Sequence, residues 1–226
     1  MATVAITGAA RGIGLELAAQ HVAAGDRVLA LARKASPALE ALAASSGGLL
    51  TVHMVDVASD ESVRSGVAST GTGPVDILYN VAGVAGHIPS ELESADWDAW
   101  NVVFAIMVQG PLRVLQAFLP RLGADAKVIN ITSQIGASTW PRGGYYSYGA
   151  AKAALNRLMR SVATDLKPRG VIVGIVHPGW VQTDMGGPAA HITPQESASG
   201  IRQVAADWTL ETTGDFLNWN GKPHAW

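Results

Sequence analysis

Short apolar runs without polar alternation recur along the chain, and most are followed by a longer stretch with helical character. Runs of this kind are typical of strands buried on both faces of a parallel sheet. We predict strands at residues 3–7, 27–31, 49–55, 75–79, 127–131, 171–176 and 215–219. The alternation predicts the α/β class, a doubly wound parallel sheet of about seven strands with helices on both faces.

The stretches between these runs predict helices at residues 15–24, 37–45, 59–68, 149–167 and 194–208, with one or two more within 94–122. Ser59 is a candidate helix cap. Pro168 and Gly170 are expected to stop the long Ala-rich helix. We find no internal repeat or linker, and no apolar run approaches the ~20 residues of a membrane span. A single domain over residues 1–226 is therefore predicted.

The first predicted strand leads into the turn Gly8-Ala9-Ala10-Arg11-Gly12-Ile13-Gly14, and a helix follows. A strand, a glycine turn and a helix in this order indicate a dinucleotide site, because small residues let the backbone approach a pyrophosphate. The helix N-terminus then offers free N–H groups to the phosphates. The sequence thus predicts a Rossmann fold that binds a dinucleotide.

The residue after the second strand bears on the choice of cofactor. An acidic side chain there would hold the ribose hydroxyls, whereas a basic one tolerates a 2′-phosphate. The chain has Ala32, Arg33 and Lys34 at this place, and Arg11 lies within the glycine turn. We therefore predict NADP(H), with NAD(H) less favoured, although Arg33 and Lys34 could also be plain loop charges.

A tyrosine and a lysine four residues apart, Tyr148 and Lys152, open the Ala-rich helix. Residues at this spacing share a helix face, and a nearby ammonium lowers the pKa of a phenol. Ser133 follows the fifth strand, where its hydroxyl could polarise a carbonyl beside that phenol. The three side chains form a candidate acid/base device.

Composition and charge argue against several kinds of partner and binding site. The chain has 226 residues, is 48% hydrophobic, carries a net charge of −2 and contains no cysteine. The near-neutral charge without basic blocks argues against nucleic acid or an anionic membrane as a partner. The absence of cysteine excludes disulfides and thiolate metal sites, and no His, Asp and Glu cluster has metal spacing. With no signal-peptide pattern, we expect a cytoplasmic protein.

Several motifs appear in a fixed order: the glycine turn, Asp56-Val57, Asn80-Val81-Ala82-Gly83, Ser133, Tyr148 with Lys152, and Pro178-Gly179 with Thr183. In this combination the chain resembles the short-chain dehydrogenase/reductase family, in its compact single-domain branch, over residues 4–184. The segment 177–188 and the ending 216–221 resemble the C-factor-like subgroup.

The resemblance implies how a cofactor would be held. Gly8, Arg11, Gly12, Ile13 and Gly14 would hold the pyrophosphate and adenosine side, and Arg33 a 2′-phosphate. Asp56 and Val57 would contact the adenine, while Asn80, Ala82 and Gly83 would line the adenine ribose. Pro178, Val181 and Thr183 would hold the nicotinamide, together with Tyr148 and Lys152.

The family resemblance also implies the reaction, which is the interconversion of a ketone or aldehyde and an alcohol by hydride transfer. Tyr148 would exchange the proton with the carbonyl oxygen, and Ser133 would orient that carbonyl. Lys152 would lower the pKa of Tyr148 and bond the nicotinamide ribose. Relatives often pair through helices around residues 95–122 and 148–167, so a homo-oligomer is an expectation.

One position departs from the family pattern. An Asn that helps to hold a water linked to the lysine is usual four residues ahead of Pro111, and here that residue is Met107. A thioether donates no hydrogen bond. The Met107 carbonyl could hold the water, Gln109 or Gln134 could substitute, or turnover could be weak. The last outcome supports an alternative function, a dinucleotide-binding regulatory or signalling protein with vestigial catalysis.

Gln134, Trp140 and Trp180 are candidates for lining the substrate pocket, against ordinary packing. If the two indoles line it, the substrate is an apolar ketone or aldehyde. His177 is expected to be a core residue at a strand end. A sugar-nucleotide epimerase on the same fold is disfavoured, because little chain remains after Thr183 for a substrate region.

Overall fold

The computed structural model describes residues 1–86 and 94–226. Seven strands form one parallel sheet in the order β3-β2-β1-β4-β5-β6-β7. They are β1 (Thr3–Thr7), β2 (Arg27–Ala32), β3 (Leu50–Met54), β4 (Ile77–Asn80), β5 (Lys127–Ile131), β6 (Ile172–His177) and β7 (Phe216–Asn218). The predicted doubly wound α/β fold is confirmed, and strand ends differ from the prediction by two residues at most.

Helices cover both faces of the sheet. They are α1 (Gly12–Ala23), α2 (Pro37–Ser45), α3 (Asp60–Ala68), α4 (Trp97–Phe104), α5 (Gly110–Phe118), α6 (Tyr146–Leu166) and α7 (Pro194–Asp207). Two apolar cores result: α1, α2 and α7 pack on one face, and α3 to α6 pack on the other. Both faces of the strands are thus dry, as the apolar runs without alternation predict.

Local capping explains where several helices begin. Ser36 accepts a hydrogen bond from the Leu39 N–H at 3.2 Å and Ser59 accepts one from Ser62 at 3.2 Å. Thr193 forms a capping box with Glu196 ahead of α7. These caps satisfy N–H groups that a helix start leaves without a partner. The predicted cap at Ser59 is confirmed.

The predicted helical region 94–122 is interrupted at its centre. A π-helical turn at Ala105–Gln109 separates α4 from α5. Pro111 has no N–H, so it cannot donate to the carbonyl four residues earlier, that of Met107. The Gly110 N–H bonds the Ala105 carbonyl instead, and Arg113 Nη1 also donates to that carbonyl at 3.3 Å.

The helical segment Trp97–Arg121 is long and apolar enough to cross a membrane by length and composition. The prediction that no apolar stretch approaches this length was therefore wrong. In the fold, Val103, Met107, Val114 and Phe118 from this segment are fully buried in the core beneath the sheet. Its apolar composition is explained by packing against α3 and α6.

Candidate active site

A groove of about 720 Å³ opens at the edge where the parallel strands end. The predicted cofactor residues that line it are Gly8, Arg11, Gly12, Ile13, Gly14, Arg33, Asp56, Val57, Ala82, Gly83, Tyr148, Lys152, Pro178 and Thr183. The groove runs past the strand order reversal between β1 and β4, where ligands bind in open α/β sheets.

The glycine turn forms the floor of the groove. Gly8 has a positive φ of 69°, and a Cβ there would lie 2.9 Å from the Cα of Ala82. The Thr7 hydroxyl accepts hydrogen bonds from the Val81 N–H at 3.0 Å and the Ala82 N–H at 3.2 Å. The turn after β1 is therefore packed tightly against the segment after β4, and no larger residue fits between them.

Helix α1 begins at Gly12, three residues earlier than predicted, because the last three residues of the glycine turn form the first turn of the helix. Its N-cap residue, Arg11, is extended and its side chain makes no capping bond. The first N–H groups of α1 therefore point to the groove without a side-chain acceptor, an arrangement that favours a phosphate.

An ion pair crosses the mouth of the groove. Arg11 Nη1 lies 3.0 Å from Asp184 Oδ2, and both side chains are largely exposed. The pair joins the glycine turn to the segment after β6, two parts of the chain that are far apart in sequence. An exposed pair of this kind contributes little to stability. The Arg11 guanidinium is thus free to exchange Asp184 for another anion.

The end of the groove next to β2 and β3 is basic. Arg33 and Lys34 follow Ala32 and are both exposed, and both line the groove. Asp56 lies opposite, and its Oδ1 accepts a hydrogen bond from the Ala58 N–H at 3.0 Å. Cationic side chains without an acid at the end of β2 suit a ribose that carries a 2′-phosphate.

The opposite end of the groove holds Tyr148 and Lys152. The Lys152 Nζ lies 5.8 Å from the centroid of the Tyr148 ring and donates to the Ile131 carbonyl at 2.8 Å. Lys152 is 5% exposed, and burial lowers its pKa to about 8. No carboxylate of residues 1–86 or 94–226 pairs with it, so this ammonium can lose its proton close to neutral pH.

Burial raises the pKa of Tyr148, and the Ser133 hydroxyl acts in the opposite direction. The pKa of Tyr148 thus lies above its ordinary value, and the predicted lowering of this pKa is corrected. Tyr148 holds its proton at neutral pH, next to Ser133. Ser133 lies close enough to Tyr148 to affect its pKa, and the predicted joint action of the two groups on a carbonyl stays a prediction.

Close packing of α6 brings these residues together. Ser133 opens a short 3₁₀ turn, Gln134–Gly136, and a Cβ on Gly136 would lie 2.7 Å from the Lys152 carbonyl carbon. The turn and the helix therefore touch backbone to backbone. The role of Gly136 was not foreseen, although a glycine three residues after Ser133 was visible in the sequence.

Met107 is 1% exposed and lines the groove together with Ile106. Its Sδ would lie 3.5 Å from a Cβ built on Gly83. Of the suggested substitutes, Gln109 accepts from Arg113 Nη2 at 2.6 Å at an exposed site and does not line the groove. Gln134 does not line it either, so neither side chain replaces the expected Asn there.

Two predicted cofactor residues point elsewhere. The Asn80 side chain is buried between strands and donates to Asn130 Oδ1 at 2.9 Å. Val181 is buried and pairs with Ile192. Neither residue is among the described residues that line the groove, so the predicted contacts of Asn80 with the adenine ribose and of Val181 with the nicotinamide stay predictions.

The substrate-pocket candidates are also not among the described residues that line the groove. Trp180 is 44% exposed, and its Nε1 donates to the Gly186 carbonyl at 2.8 Å. Trp140 is half-buried, with the Arg142 guanidinium 5.9 Å from its ring centroid. Their role in substrate binding stays a prediction.

Thr132 lines the groove and was not foreseen. Its Oγ1 donates to Asn156 Oδ1 at 2.5 Å, and Asn156 is buried on α6 one turn after Lys152. The spacing of Lys152 and Asn156, four residues, could have revealed that both share a face. Gln182, Asp184 and Met185 complete the wall after β6.

Comparison with known proteins agrees with this geometry. Residues 2–192 match the model of the short chain dehydrogenase family, and the chain belongs to that family of oxidoreductases. The C-signal of Myxococcus xanthus is 41% identical over 167 residues, which cover 73% of this chain and 100% of that protein. The 1-hydroxy-2-glutathionyl-2-methyl-3-butene dehydrogenase of Rhodococcus sp. (strain AD45) is 33% identical over 233 residues, with both chains fully covered.

A solved structure is also similar. The NADPH-bound carbonyl reductase from chicken fatty liver matches with a TM-score of 0.90 and 31% identity, over 100% of this chain and 99% of that one. The family membership and the likeness to the C-factor-like subgroup that the motifs indicated are confirmed.

Proposed function

We propose that this protein is an NADP(H)-dependent reductase that converts a ketone or aldehyde to an alcohol, and that also runs in reverse. One observation carries the proposal: a phenol, a buried amine and a hydroxyl lie together at one end of a groove whose other end is an uncapped helix start with basic side chains. This is the arrangement that hydride transfer to a carbonyl requires.

The residues of the groove fit a dinucleotide with a 2′-phosphate. The glycine turn leaves no room for a side chain at Gly8, so the backbone of the turn can lie against a pyrophosphate. Arg33 and Lys34 supply positive charge at the adenosine end, where an acid would select NAD. When bound, the nicotinamide cofactor supplies the hydride. The NADPH seen in the chicken carbonyl reductase supports the same choice here.

The protein side of the reaction is proton transfer. Tyr148 keeps its proton at neutral pH because burial raises its pKa. It can therefore act as the acid that protonates the carbonyl oxygen during reduction. Ser133 donates its hydroxyl to the same oxygen and holds it beside Tyr148. Lys152, whose pKa burial lowers to about 8, returns a proton to Tyr148 between turnovers.

The wall of the groove next to these residues is apolar. Val84, Ile106, Met107 and Met185 line it, with Tyr148 at its end. Such a surface favours a carbonyl compound with an aliphatic or aromatic portion over a charged one. We therefore propose an apolar ketone or aldehyde as the substrate class.

The test is NADPH oxidation by the purified protein against a panel of ketones and aldehydes, with NADH as the control cofactor. Tyr148→Phe should lower kcat by at least about 10²-fold, since it removes the acid. Tyr146→Phe is the matched control, because Tyr146 opens the same helix but does not line the groove. Equal rates for Tyr148→Phe and the unaltered protein would refute the proposal.

A second function has one observation in its favour. Met107, a buried thioether, occupies the groove where the family carries an Asn, so the proton path to Lys152 lacks an amide. A dinucleotide-binding regulatory protein with vestigial catalysis would bind NADPH tightly and turn over none of the carbonyl panel. Binding measured by the fluorescence of NADPH, beside the rate assay, separates the two functions.

A further inference from the structure

The turn that carries Ser133 is tied to the end of the neighbouring strand by His177. The His177 Nδ1 lies 3.3 Å from the backbone N of Gln134, the residue directly after Ser133. A backbone N–H only donates, so Nδ1 accepts and the ring proton is on Nε2. In the sheet Ile131 pairs with Val176, so the turn that begins at Ser133, just after β5, lies beside His177, the last residue of β6.

The next two backbone N–H groups, those of Ile135 and Gly136, have acceptors within the turn. The Ser133 Oγ accepts from the Ile135 N–H at 3.2 Å, and the Ser133 carbonyl accepts from the Gly136 N–H at 3.0 Å. The Gln134 N–H is one of the groups that a helical turn leaves without an internal acceptor. His177 supplies that acceptor from outside, and so fixes how the turn is rotated about the end of β5.

The surroundings keep His177 able to accept. It is 8% exposed, and burial, with a smaller effect from His224, lowers its pKa to about 4. The His224 ring packs edge-on against His177 at 5.6 Å and stacks on Phe216 at 4.4 Å. The imidazole is therefore neutral across the physiological range and is held in one orientation.

We propose that His177 is a positioning residue for catalysis, which sets the place of the Ser133 hydroxyl through the Gln134 N–H. The inference rests on the proposed function, since it gives Ser133 the task of orienting the carbonyl. Without this acceptor, the half-buried Gln134 N–H must turn to another partner, and Ser133 moves with it. A displacement of about 1 Å at a reacting group can lower a rate by about 10²-fold.

The experiment uses amide side chains that place their oxygen at different points. In His177→Asn, Oδ1 is one bond beyond Cγ, as Nδ1 is in histidine, so it can accept from Gln134. In His177→Gln the oxygen is one bond further out, and His177→Leu has no acceptor. Each variant is made in the full chain, alone and combined with Ser133→Ala, and kcat and both KM values are measured.

His177→Asn should keep kcat near that of the unaltered protein, while His177→Gln and His177→Leu lower it by about ten- to a hundredfold. The KM for NADPH should not change. In the Ser133→Ala background the three variants should have the same kcat, because there is no longer a hydroxyl to misplace. If His177→Leu does not fold, the comparison of Asn with Gln decides.

Equal kcat for the Asn and Gln variants would overturn the inference, as would a Gln defect that persists in full when Ser133 is absent. A rise in the KM for NADPH without loss of kcat would show that His177 acts through Pro178 on cofactor binding, and would also overturn it. If Ser133→Ala alone leaves kcat unchanged, the proposed role of Ser133 in orienting the carbonyl is wrong. That result is distinct from the outcomes that would overturn the role of His177 alone.

Discussion

Replacing Lys152 with methionine should make the stability of the protein less dependent on pH. The Lys152 ammonium is buried without a carboxylate partner among the residues that the structure describes, and burial lowers its pKa from the ordinary value of 10.5 to about 8. Between these two values the unfolded chain binds a proton that the folded chain does not. Stability therefore rises with pH through this window, and the cost of charging Lys152 is fully present below pH 8.

The size of the effect follows from the two pKa values. Between pH 7 and pH 10 they correspond to about 2.5 kcal/mol of stability gained by the unaltered protein. The hydrogen bond from Nζ to the Ile131 carbonyl favours the charged form and offsets part of this cost. We therefore expect the free energy of unfolding of the unaltered protein to rise by about 2 kcal/mol relative to Lys152→Met over this range.

The assay is urea unfolding at pH 7 and pH 10 for both proteins, with Lys222→Met as the control at an exposed lysine. Other groups titrate equally in all three proteins and cancel in the comparison. Lys152→Met should also lower kcat by about 10²-fold, because the proton donor to Tyr148 is lost. A pH dependence of unfolding that is the same in Lys152→Met and in the unaltered protein would show that Lys152 is not desolvated, and the reasoning would fail.

Two further substitutions test the groove. Met107→Asn should raise turnover a few-fold by restoring an amide near Lys152, and should lower stability by about 2–4 kcal/mol because a buried thioether is replaced by a polar group. Met107→Leu is the matched control. An unchanged or lower rate in the Asn variant would mean that proton relay through Lys152 does not limit turnover. Arg33→Ala should raise the KM for NADPH by about tenfold and leave the KM for NADH unchanged, since the guanidinium would contact only the 2′-phosphate; equal effects on both cofactors would contradict this assignment.

The apolar runs were sufficient to predict the strands, because a strand that is buried on both faces of a sheet is apolar at nearly every position. The break between α4 and α5 was also within reach, since Pro111 removes the donor to Met107. What the sequence could not show is which way a side chain points at a strand end. Asn80 is the last residue of β4 and turns to Asn130, whereas the prediction counted it as a groove residue.

The catalytic candidates show the same limit. The spacing of Tyr148 and Lys152 identified the pair, but the sign of a pKa shift depends on burial, which spacing does not reveal. Burial raises the pKa of Tyr148, against the prediction. His177 was expected to be a plain core residue, and its contact with Gln134 depends on which atoms two neighbouring strand ends bring together.

The contact between Gly136 and the Lys152 backbone has a consequence for anyone who redesigns this protein. The two backbones are in direct contact there, so the spacing of the Ser133 hydroxyl and the Tyr148 phenol depends on the absence of a Cβ at Gly136 and not on side chains that could be exchanged. An alanine at Gly136 would push the two elements apart and misalign both groups at once. Changes intended to alter substrate range should therefore begin at Ile106 and Met185, on the wall of the groove, and leave this joint untouched.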